Sequence, residues 1–392
     1  MKTLKRTWAD ISLDNLEYNY RSIRAHLPQG TKFLGVMKAD AYGHGAVPVS
    51  RALADLGAEY LAVSNLEEAV QIRRGEVRLP ILILGYTPAE YAANMIFLDI
   101  TQEVHSLEYA RELNEALAGT NYILNVHLKL DTGMTRIGFF AYDDERTLDE
   151  LRQVAQLPHL HIEGVFMHFC VADSRAEADV LFTKLQYKRF MDMLSAMAGV
   201  GIRPEIRHCC NSGATILYPE FALDMVRPGI ITYGNAPSDE LEGALSLRPM
   251  MSLHSMIAQV RTVPAGTDIS YGRLYRTKEE TRVAVLPIGY ADGLSRLLTG
   301  KASFYLQGHQ VPVIGRICMD MCMIDVSGVP ETKPGDVVTI FGYDDDGTLL
   351  PCERLARAQG TINYELLCQI SKRIPRICHR GAETSQILQY IV

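Results

Sequence analysis

The chain has 392 residues, of which 47% are hydrophobic and 22% charged, a composition normal for a globular protein and a length greater than one ordinary core serves. Its net charge of −7 gives no general attraction to nucleic acid or to anionic lipid. Because no apolar run approaches the ~20 residues of a membrane span and the first residues lack a secretory signal, we expect a cytoplasmic protein without membrane contact.

From residue 12 to about 240, apolar strand candidates alternate with helices. A helix is predicted from Ser12, which can cap it, to just before Pro28; another is capped by Asn65 and ends at Gly75. Further helices are predicted after Ser106 and over about residues 180–198. The eight predicted strands are 32–38, 59–64, 80–85, 97–102, 125–133, 162–169, 205–213 and 223–230.

Eight strands in this alternation favour a closed (β/α)8 barrel of the α/β class, which typically takes ~250 residues. An open, doubly wound sheet is the alternative, since it produces the same alternation. The first predicted strand is not followed by G-x-G-x-x-G, which weakens the dinucleotide-binding form of that alternative.

The pattern of predicted strands and helices changes after about residue 244. Short segments rich in β-branched residues are separated by Gly, Pro and Asp, and only 352–360 and 363–374 resemble helices. We therefore predict a barrel domain over 1–243 and a mostly β domain over 244–392. The eight cysteines form no C-x-x-C pair, so no metal site is predicted.

In a barrel, functional groups lie on the loops that follow the strands. The polar residues there suggest a phosphate cradle of backbone N–H groups, an amine able to bond covalently to an aldehyde, and a flat ring for stacking. Pyridoxal 5′-phosphate (PLP) has the three groups that such residues would bind, namely a phosphate, an aldehyde and an aromatic ring. Each residue alone is nevertheless compatible with an ordinary structural role. The candidates are Lys38, Tyr42, Lys129, Asp131, Arg136, His168, Asn211, Ser212, Gly213, Arg227, Gly229 and Ile230.

Nine segments in order resemble the successive motifs of the alanine racemases, which are fold-type III PLP enzymes. They extend over about residues 8 to 376, nearly the whole chain. The segments are "VMKADAYGHG", "KLDTGMTRIG", "GVFMHF", "NSGA", "MVRPGIITYG", "ISYGRLY", "LPIGYADGL", "VIGRICMDM" and "GTINYELL".

The resemblance implies that Lys38 holds the cofactor and acts as one base, while Tyr271 acts as the other on the opposite face of the substrate. In the family this tyrosine comes from the partner subunit, so a head-to-tail homodimer is implied, as is a supply of D-alanine for peptidoglycan. Lys129 matches a lysine that is often carbamylated. The resemblance also implies phosphate contacts from Tyr42, Ser212, Gly229, Ile230 and Tyr364 beside Asn211, ring contacts from Arg136, His168 and Arg227, and substrate carboxylate contacts from Arg136 and Met319.

Three alternatives stay open at this point. A serine or broad-specificity racemase is disfavoured by Tyr364, because a bulky ring there narrows the site. A non-catalytic PLP carrier on the same barrel would lack the second domain and any equivalent of Tyr271. A decarboxylase of basic amino acids would place an acidic residue where Arg227 stands. Met321 and the Cys209–Cys210 pair depart from the usual family pattern without removing an implied catalytic residue.

Overall fold

The structure, a computed structural model, describes residues 6–142 and 144–391. The chain divides into two compact units. The barrel unit comprises Leu16–Ala41 and Ala46–Arg248, and the β unit comprises the N-terminal segment through Asn15, Tyr42–Gly45 and Pro249–Val392.

The barrel unit contains a closed parallel sheet. The first ten strands of the described chain, of which β1 lies outside the barrel unit, are β1 (Thr7–Ser12), β2 (Lys32–Val36), β3 (Tyr60–Val63), β4 (Ile81–Ile83), β5 (Ile100–Val104), β6 (Leu124–Asp131), β7 (Phe139–Phe140), β8 (Leu160–Phe166), β9 (Ile206–His208) and β10 (Met225–Val226). Eight of them pair in the order β5-β4-β3-β2-β10-β9-β8-β6, and pairing between β5 and β6 closes the ring. The predicted (β/α)8 barrel is confirmed.

The helices begin where the sequence offers caps. Ser12 accepts a hydrogen bond from the Asn15 backbone N–H, and the Asn65 and Ser106 side chains cap the two predicted helices that follow them. The first nine helices are α1 (Leu13–His26), α2 (Lys38–Tyr42), α3 (Ala46–Leu56), α4 (Leu66–Arg74), α5 (Ala92–Phe97), α6 (Leu107–Ala116), α7 (Asp144–Ala155), α8 (Glu177–Gly199) and α9 (Ser212–Leu217). The predicted helices do not include α3, whose first turn contains Pro48, α5, whose last residue fell in the predicted strand 97–102, or α7. Within the described parts of the chain, no helix has the length and apolar character needed to cross a bilayer.

The β unit is built on one large mixed sheet. Its remaining elements are β11 (Met251–Met256), β12 (Gln259–Val263), β13 (Asp268–Ile269), β14 (Tyr275–Arg276), β15 (Thr281–Leu286), β16 (Ser303–Leu306), β17 (His309–Ile314), β18 (Cys322–Asp325), β19 (Val337–Tyr343), β20 (Leu349–Leu350), α10 (Cys352–Gln359), α11 (Asn363–Cys368), β21 (Arg376–Arg380) and β22 (Glu383–Leu388). The strand order is β12-β15-β18-β17-β16-β19-β11-β1-β21-β22, with β20 on β19. The two helices fall where the sequence predicts them.

The first strand belongs to this sheet and not to the barrel. β1 pairs antiparallel with β11 and parallel with β21. The predicted division at 243/244 therefore differs from the structure, which divides the chain at 248/249 and assigns the N-terminal segment and Tyr42–Gly45 to the β unit. The partners of β1 are more than two hundred residues away along the chain, so no local pattern reveals the pairing.

Arg376 forms hydrogen bonds to several backbone segments of the β unit. Its side chain is 1% exposed and donates hydrogen bonds to the carbonyl oxygens of Gly43, Ile370, Ser371 and Ile374, at 2.6–2.9 Å. An arginine fits because its planar group offers five donors in a fixed arrangement. The segment that follows Tyr42 is held by one of these bonds.

We expect Arg376→Met to lower the free energy of unfolding by about 3 kcal/mol or more, because it leaves buried carbonyl groups without donors. Thermal denaturation followed by circular dichroism measures the loss. Arg380→Met, an exposed position on the same strand, is the matched control and should change the midpoint little. Equal losses in the two variants would contradict the role given to Arg376.

Candidate active site

The predicted residues of the barrel unit lie just beyond the carboxyl ends of its strands. Because parallel strands end together, these loops meet at one end of the barrel. Lys129 differs, since it lies inside β6. Lys38 follows β2, Arg136 follows β6, His168 follows β8, Asn211 and Ser212 follow β9, and Arg227, Gly229 and Ile230 follow β10.

A left-handed turn follows Lys38. Ala39, Asp40 and Ala41 have φ of 51°, 54° and 55°, and Tyr42 has φ of 51°. Each such residue without glycine's freedom costs roughly 1–2 kcal/mol. In the barrel unit the turn is held by hydrogen bonds from the Ala39 N–H to Glu68 at 2.7 Å and from the Ala46 N–H to Asp40 at 2.8 Å. Strain of this kind concentrates at functional sites.

His168 is surrounded by positive charge. Burial lowers its pKa well below the ordinary value, and the charges of Arg227, Arg136, Lys129 and Lys38 lower it further. The imidazole is therefore neutral at neutral pH. A neutral ring beside the guanidinium groups of Arg136 and Arg227 suits an anionic aromatic ligand.

Arg227 is buried, with 3% of its surface exposed. It donates hydrogen bonds to Nδ1 of His208 at 3.0 Å and to the carbonyl oxygens of Met167 and Cys209 at 2.7 and 3.2 Å. Burial lowers its pKa to about 10, so the guanidinium still carries its charge at neutral pH. These hydrogen bonds fix the orientation of the guanidinium at the carboxyl end of the barrel.

Lys129 is a buried amine, 3% exposed, which donates to the carbonyl oxygen of Leu130 at 2.8 Å. Burial and the charge of Arg227 lower its pKa to about 7. Two residues on, Asp131 Oδ1 accepts hydrogen bonds from the backbone N–H groups of Gly133 and Met134, both at 2.9 Å. Asp131 thereby shapes the loop that carries Arg136.

The loops after β9 and β10 are joined by short contacts. Asn211 Oδ1 accepts from the Ala214 N–H at 3.0 Å and caps α9, while Ser212 Oγ accepts from the Gly229 N–H at 2.9 Å. A Cβ on Gly213 would lie 2.9 Å from the backbone of Ala172, so only glycine allows this approach. Small residues and a hydroxyl are what a phosphate cradle needs.

The other predicted residues lie in the β unit. The rings of Tyr42 and Tyr364 are 6.0 Å apart, and burial raises the pKa of Tyr42. Tyr271 is 69% exposed and Met319 is 53% exposed. Ser270, next to Tyr271, donates to the carbonyl oxygen of Arg316 at 2.7 Å and so connects two loops of this unit.

Three polar residues of the barrel strands were not predicted as functional candidates: His127 and His208, which are buried, and Glu163, which is partly exposed. The sequence pattern could have identified His127, because His127, Lys129 and Asp131 occur at alternate positions of one strand and therefore share a face. His208 was inside the predicted seventh strand and Glu163 inside the sixth, but neither follows its strand end.

The barrel end fits PLP by the chemistry of its donors. Its cationic side chains and the Ser212–Gly229 cradle suit a phosphate, Lys38 offers an amine to an aldehyde, and the neutral His168 offers a ring face. The largest charge effects on the pKa of His168 come from basic side chains, with Arg227 and Arg136 first. This excess of positive charge favours an anionic cofactor or substrate.

Comparison with known proteins agrees with this geometry. Residues 11–237 match the family model for the alanine racemase N-terminal domain, and residues 250–378 match that for the C-terminal domain. An alanine racemase of Desulfovibrio desulfuricans is 46% identical over 370 residues, covering 94% of this chain and 97% of the relative. The structure of alanine racemase from Clostridium difficile 630 is 40% identical, with a TM-score of 0.93 and full coverage of both chains. That of alanine racemase from Bacillus anthracis with bound L-Ala-P is 34% identical, with a TM-score of 0.93 over 100% of this chain and 99% of the other. The chain therefore belongs to the alanine racemase family, and it is an isomerase, a PLP-dependent amino-acid racemase.

Proposed function

We propose that this enzyme interconverts L-alanine and D-alanine with PLP, and that it supplies D-alanine for peptidoglycan. The observation that carries the proposal is the presence of Lys38 and of the charged Arg136 and Arg227 beside a neutral His168 at the carboxyl end of a closed barrel. The names of the similar proteins support the substrate, and the ligand named for the Bacillus anthracis structure, L-Ala-P, supports a small amino acid.

The residues that would hold the cofactor follow from their chemistry and from the family resemblance. When bound, PLP withdraws electrons from the amino acid and makes its Cα–H more acidic. Arg227, with a pKa near 10, keeps its proton and would meet the ring nitrogen as a hydrogen-bond donor. The proposed cofactor contacts are Lys38 for the covalent link, Tyr42, Ser212, Gly229, Ile230 and Tyr364 for the phosphate beside Asn211, and Arg136, His168 and Arg227 for the ring.

Racemisation needs a proton removed from one face of Cα and a proton delivered to the other. Two bases on opposite faces do this directly, and we assign them to Lys38 and Tyr271. Arg136 and the backbone N–H of Met319 would hold the substrate carboxylate, which keeps the Cα–H bond pointed at one base or the other. The ordinary pKa of tyrosine is ~10, so a cationic surrounding is required for Tyr271 to act as a base.

Tyr271 would reach the site of a partner subunit in a head-to-tail homodimer. Large apolar side chains are exposed on the β unit, and extended patches of this kind mark protein interfaces. Hydrogen bonds from the backbone of Tyr290 to Cys318 and of Ala291 to Met319, both 3.0 Å, connect two of the loops that carry them. The exposed residues include Tyr271, Leu274, Tyr290, Leu297, Met319, Met321 and Ile362, with exposed fractions of 42–69%.

A chiral assay of the purified holoenzyme against a panel of L-amino acids tests the substrate. We expect alanine to be racemised fastest and serine more slowly, because Tyr364 would narrow the site. Serine turned over at least as fast as alanine would favour the serine or broad-specificity alternative. A protein that binds PLP and racemises none of the panel would favour a carrier.

We also propose that Lys129 is carbamylated. Its pKa of about 7 leaves roughly half of the amine neutral at pH 7, whereas an ordinary lysine is almost wholly protonated there. A neutral amine attacks CO2: its lone pair forms the N–C bond and one proton leaves for solvent. The resulting carboxylate would carry a negative charge beside Arg136, which it would orient.

We expect a carbamate carbon signal in ¹³C NMR of protein equilibrated with ¹³C-bicarbonate, absent in Lys129→Met and retained in Lys184→Met, an exposed control. The yield should fall as pH is lowered through about 7, because protonation removes the lone pair of Lys129. A yield that does not change between pH 6 and pH 8 would argue against this lysine as the acceptor.

A further inference from the structure

Two buried histidines and the partly exposed Glu163, with 17% of its side chain exposed, form a chain of hydrogen bonds that begins at Arg227. Arg227 donates to His208 Nδ1 at 3.0 Å, His208 Nε2 lies 2.9 Å from His127 Nδ1, and His127 Nε2 lies 3.1 Å from Glu163 Oε2. Both histidines have no exposed surface. The racemisation proposed above gives no step to His208, His127 or Glu163.

The chain of hydrogen bonds has one possible direction. A guanidinium only donates, so His208 Nδ1 must accept and its proton must be on Nε2. His208 Nε2–H then donates to His127 Nδ1, which leaves the proton of His127 on Nε2, pointing at Glu163. Each imidazole is thereby restricted to a single tautomer.

The charges agree with that direction. Burial lowers the pKa of His127 and lowers that of His208 further, and the charge of Arg227 acts in the same sense, so both rings are neutral. Burial alone would raise the pKa of Glu163, but hydrogen bonds from His127, Tyr60 and Thr101 outweigh it and lower the value. Two neutral rings therefore link a buried cation to a carboxylate, an arrangement that a low local dielectric strengthens.

The backbone is built to accommodate the rings. Across β6 and β8 the register shifts, so that Val126 pairs with Ile162 and His127 with Gly164. Glu163 is the extra residue of this bulge, and bulges redirect a side chain. A Cβ on Gly164 would lie 2.5–2.6 Å from three atoms of the His127 ring, so the ring occupies space that only glycine leaves open.

We propose that Glu163 and His127 are positioning residues for Arg227 and act through His208. Arg227, which can only donate, and the Glu163 carboxylate, which can only accept, fix the same direction from the two ends of the chain, and the chain thereby holds His208 against Arg227 and keeps the guanidinium in one orientation. The proposal rests on the proposed function only in assigning Arg227 to the cofactor ring.

The test compares Glu163→Leu, Glu163→Gln and the natural protein as holoenzymes. Solid-state ¹⁵N NMR with labelled histidine reports the tautomer of each ring, and His127→Asn and His208→Asn spectra assign the signals. In Glu163→Leu the Nε2–H of His127 loses its acceptor, so we expect the ¹⁵N signals of His127 to move and those of His208 to follow, although Glu163 does not contact His208. Glu163→Gln should restore both sets of signals, because its amide oxygen still accepts from His127.

The second readout is kinetic and spectroscopic. We expect Glu163→Leu to lower kcat by about tenfold with little change in KM. Tenfold is the smallest effect typical of residues that hydrogen-bond to the histidine ligands of metal sites, which hold a functional group in place in a comparable way. The absorption of the bound cofactor should shift in the same variant. Glu205→Leu is the matched control, since Glu205 is an exposed carboxylate just before β9, and it should alter neither readout.

Unchanged ¹⁵N signals of His208 in Glu163→Leu would overturn the proposal, as would a kcat equal to that of the Glu205→Leu control. A loss of thermal stability alone, with both readouts unchanged, would assign Glu163 a structural role only. The NMR result does not depend on turnover, so a failure of the alanine racemase assignment would be recognised separately, by the amino-acid panel.

Discussion

Lys38→Ala is expected to abolish both the absorption of the bound cofactor and racemisation. Without the amine there is no covalent link to the aldehyde and no base on one face of the substrate, and losing both should reduce turnover by at least about 10³-fold. Borohydride reduction of the natural holoenzyme followed by peptide mapping should attach the cofactor to the peptide that contains Lys38. The variant should carry no label.

The control for this experiment is Lys184→Ala, an exposed position on α8, which should retain the absorption, the label and the activity. Lys129 is the other lysine close to His168, but it lies inside β6 and is 3% exposed. A reduced label found on Lys129 instead of Lys38 would show that the assignment of the cofactor lysine is mistaken.

Tyr271→Phe is expected to keep the cofactor absorption and to lower racemisation by about 10²–10⁴-fold, because only the phenolic oxygen is removed. The equilibrium between two enantiomers lies midway, so kcat/KM must fall equally in both directions. The two enantiomers should instead differ in the exchange of their Cα proton with ²H2O. Exchange should persist for D-alanine, whose proton Lys38 would remove, and be lost for L-alanine. Mass spectrometry of recovered alanine measures it.

The matched control is Tyr122→Phe, since Tyr122 is also an exposed tyrosine, at 53%, and lies before β6 in the other unit. It should leave racemisation and exchange unchanged. Persistent exchange from L-alanine in Tyr271→Phe would require a different second base.

The two inactive variants together test the shared site. In a mixed dimer of Lys38→Ala and Tyr271→Phe subunits, one site would combine an intact Lys38 with an intact Tyr271 of the partner. Equal mixing after subunit exchange should therefore restore about a quarter of the natural activity. If Tyr271 served its own subunit, mixing would restore none.

Much of the fold can be predicted from local patterns in the sequence. Each of the eight barrel strands overlaps a predicted segment, although β5, β6 and β8 extend beyond theirs, and β3 and β4 are buried along their whole length, as apolar runs of parallel strands should be. The caps Asn65 and Ser106 act over three residues, a distance at which sequence alone decides the contact.

The sequence by itself determined the order of the eight barrel strands and of the helices capped by Ser12, Asn65 and Ser106, and with it the set of polar residues that follow the strands, because helix and strand periodicity and capping depend on near neighbours. Only the tertiary structure decided that β1 joins β11 and β21, that residues 39–42 turn left-handed, and that Glu163 faces His127. These features depend on strand register and on contacts between residues far apart in the chain, where a shift of one position turns every side chain to the opposite face.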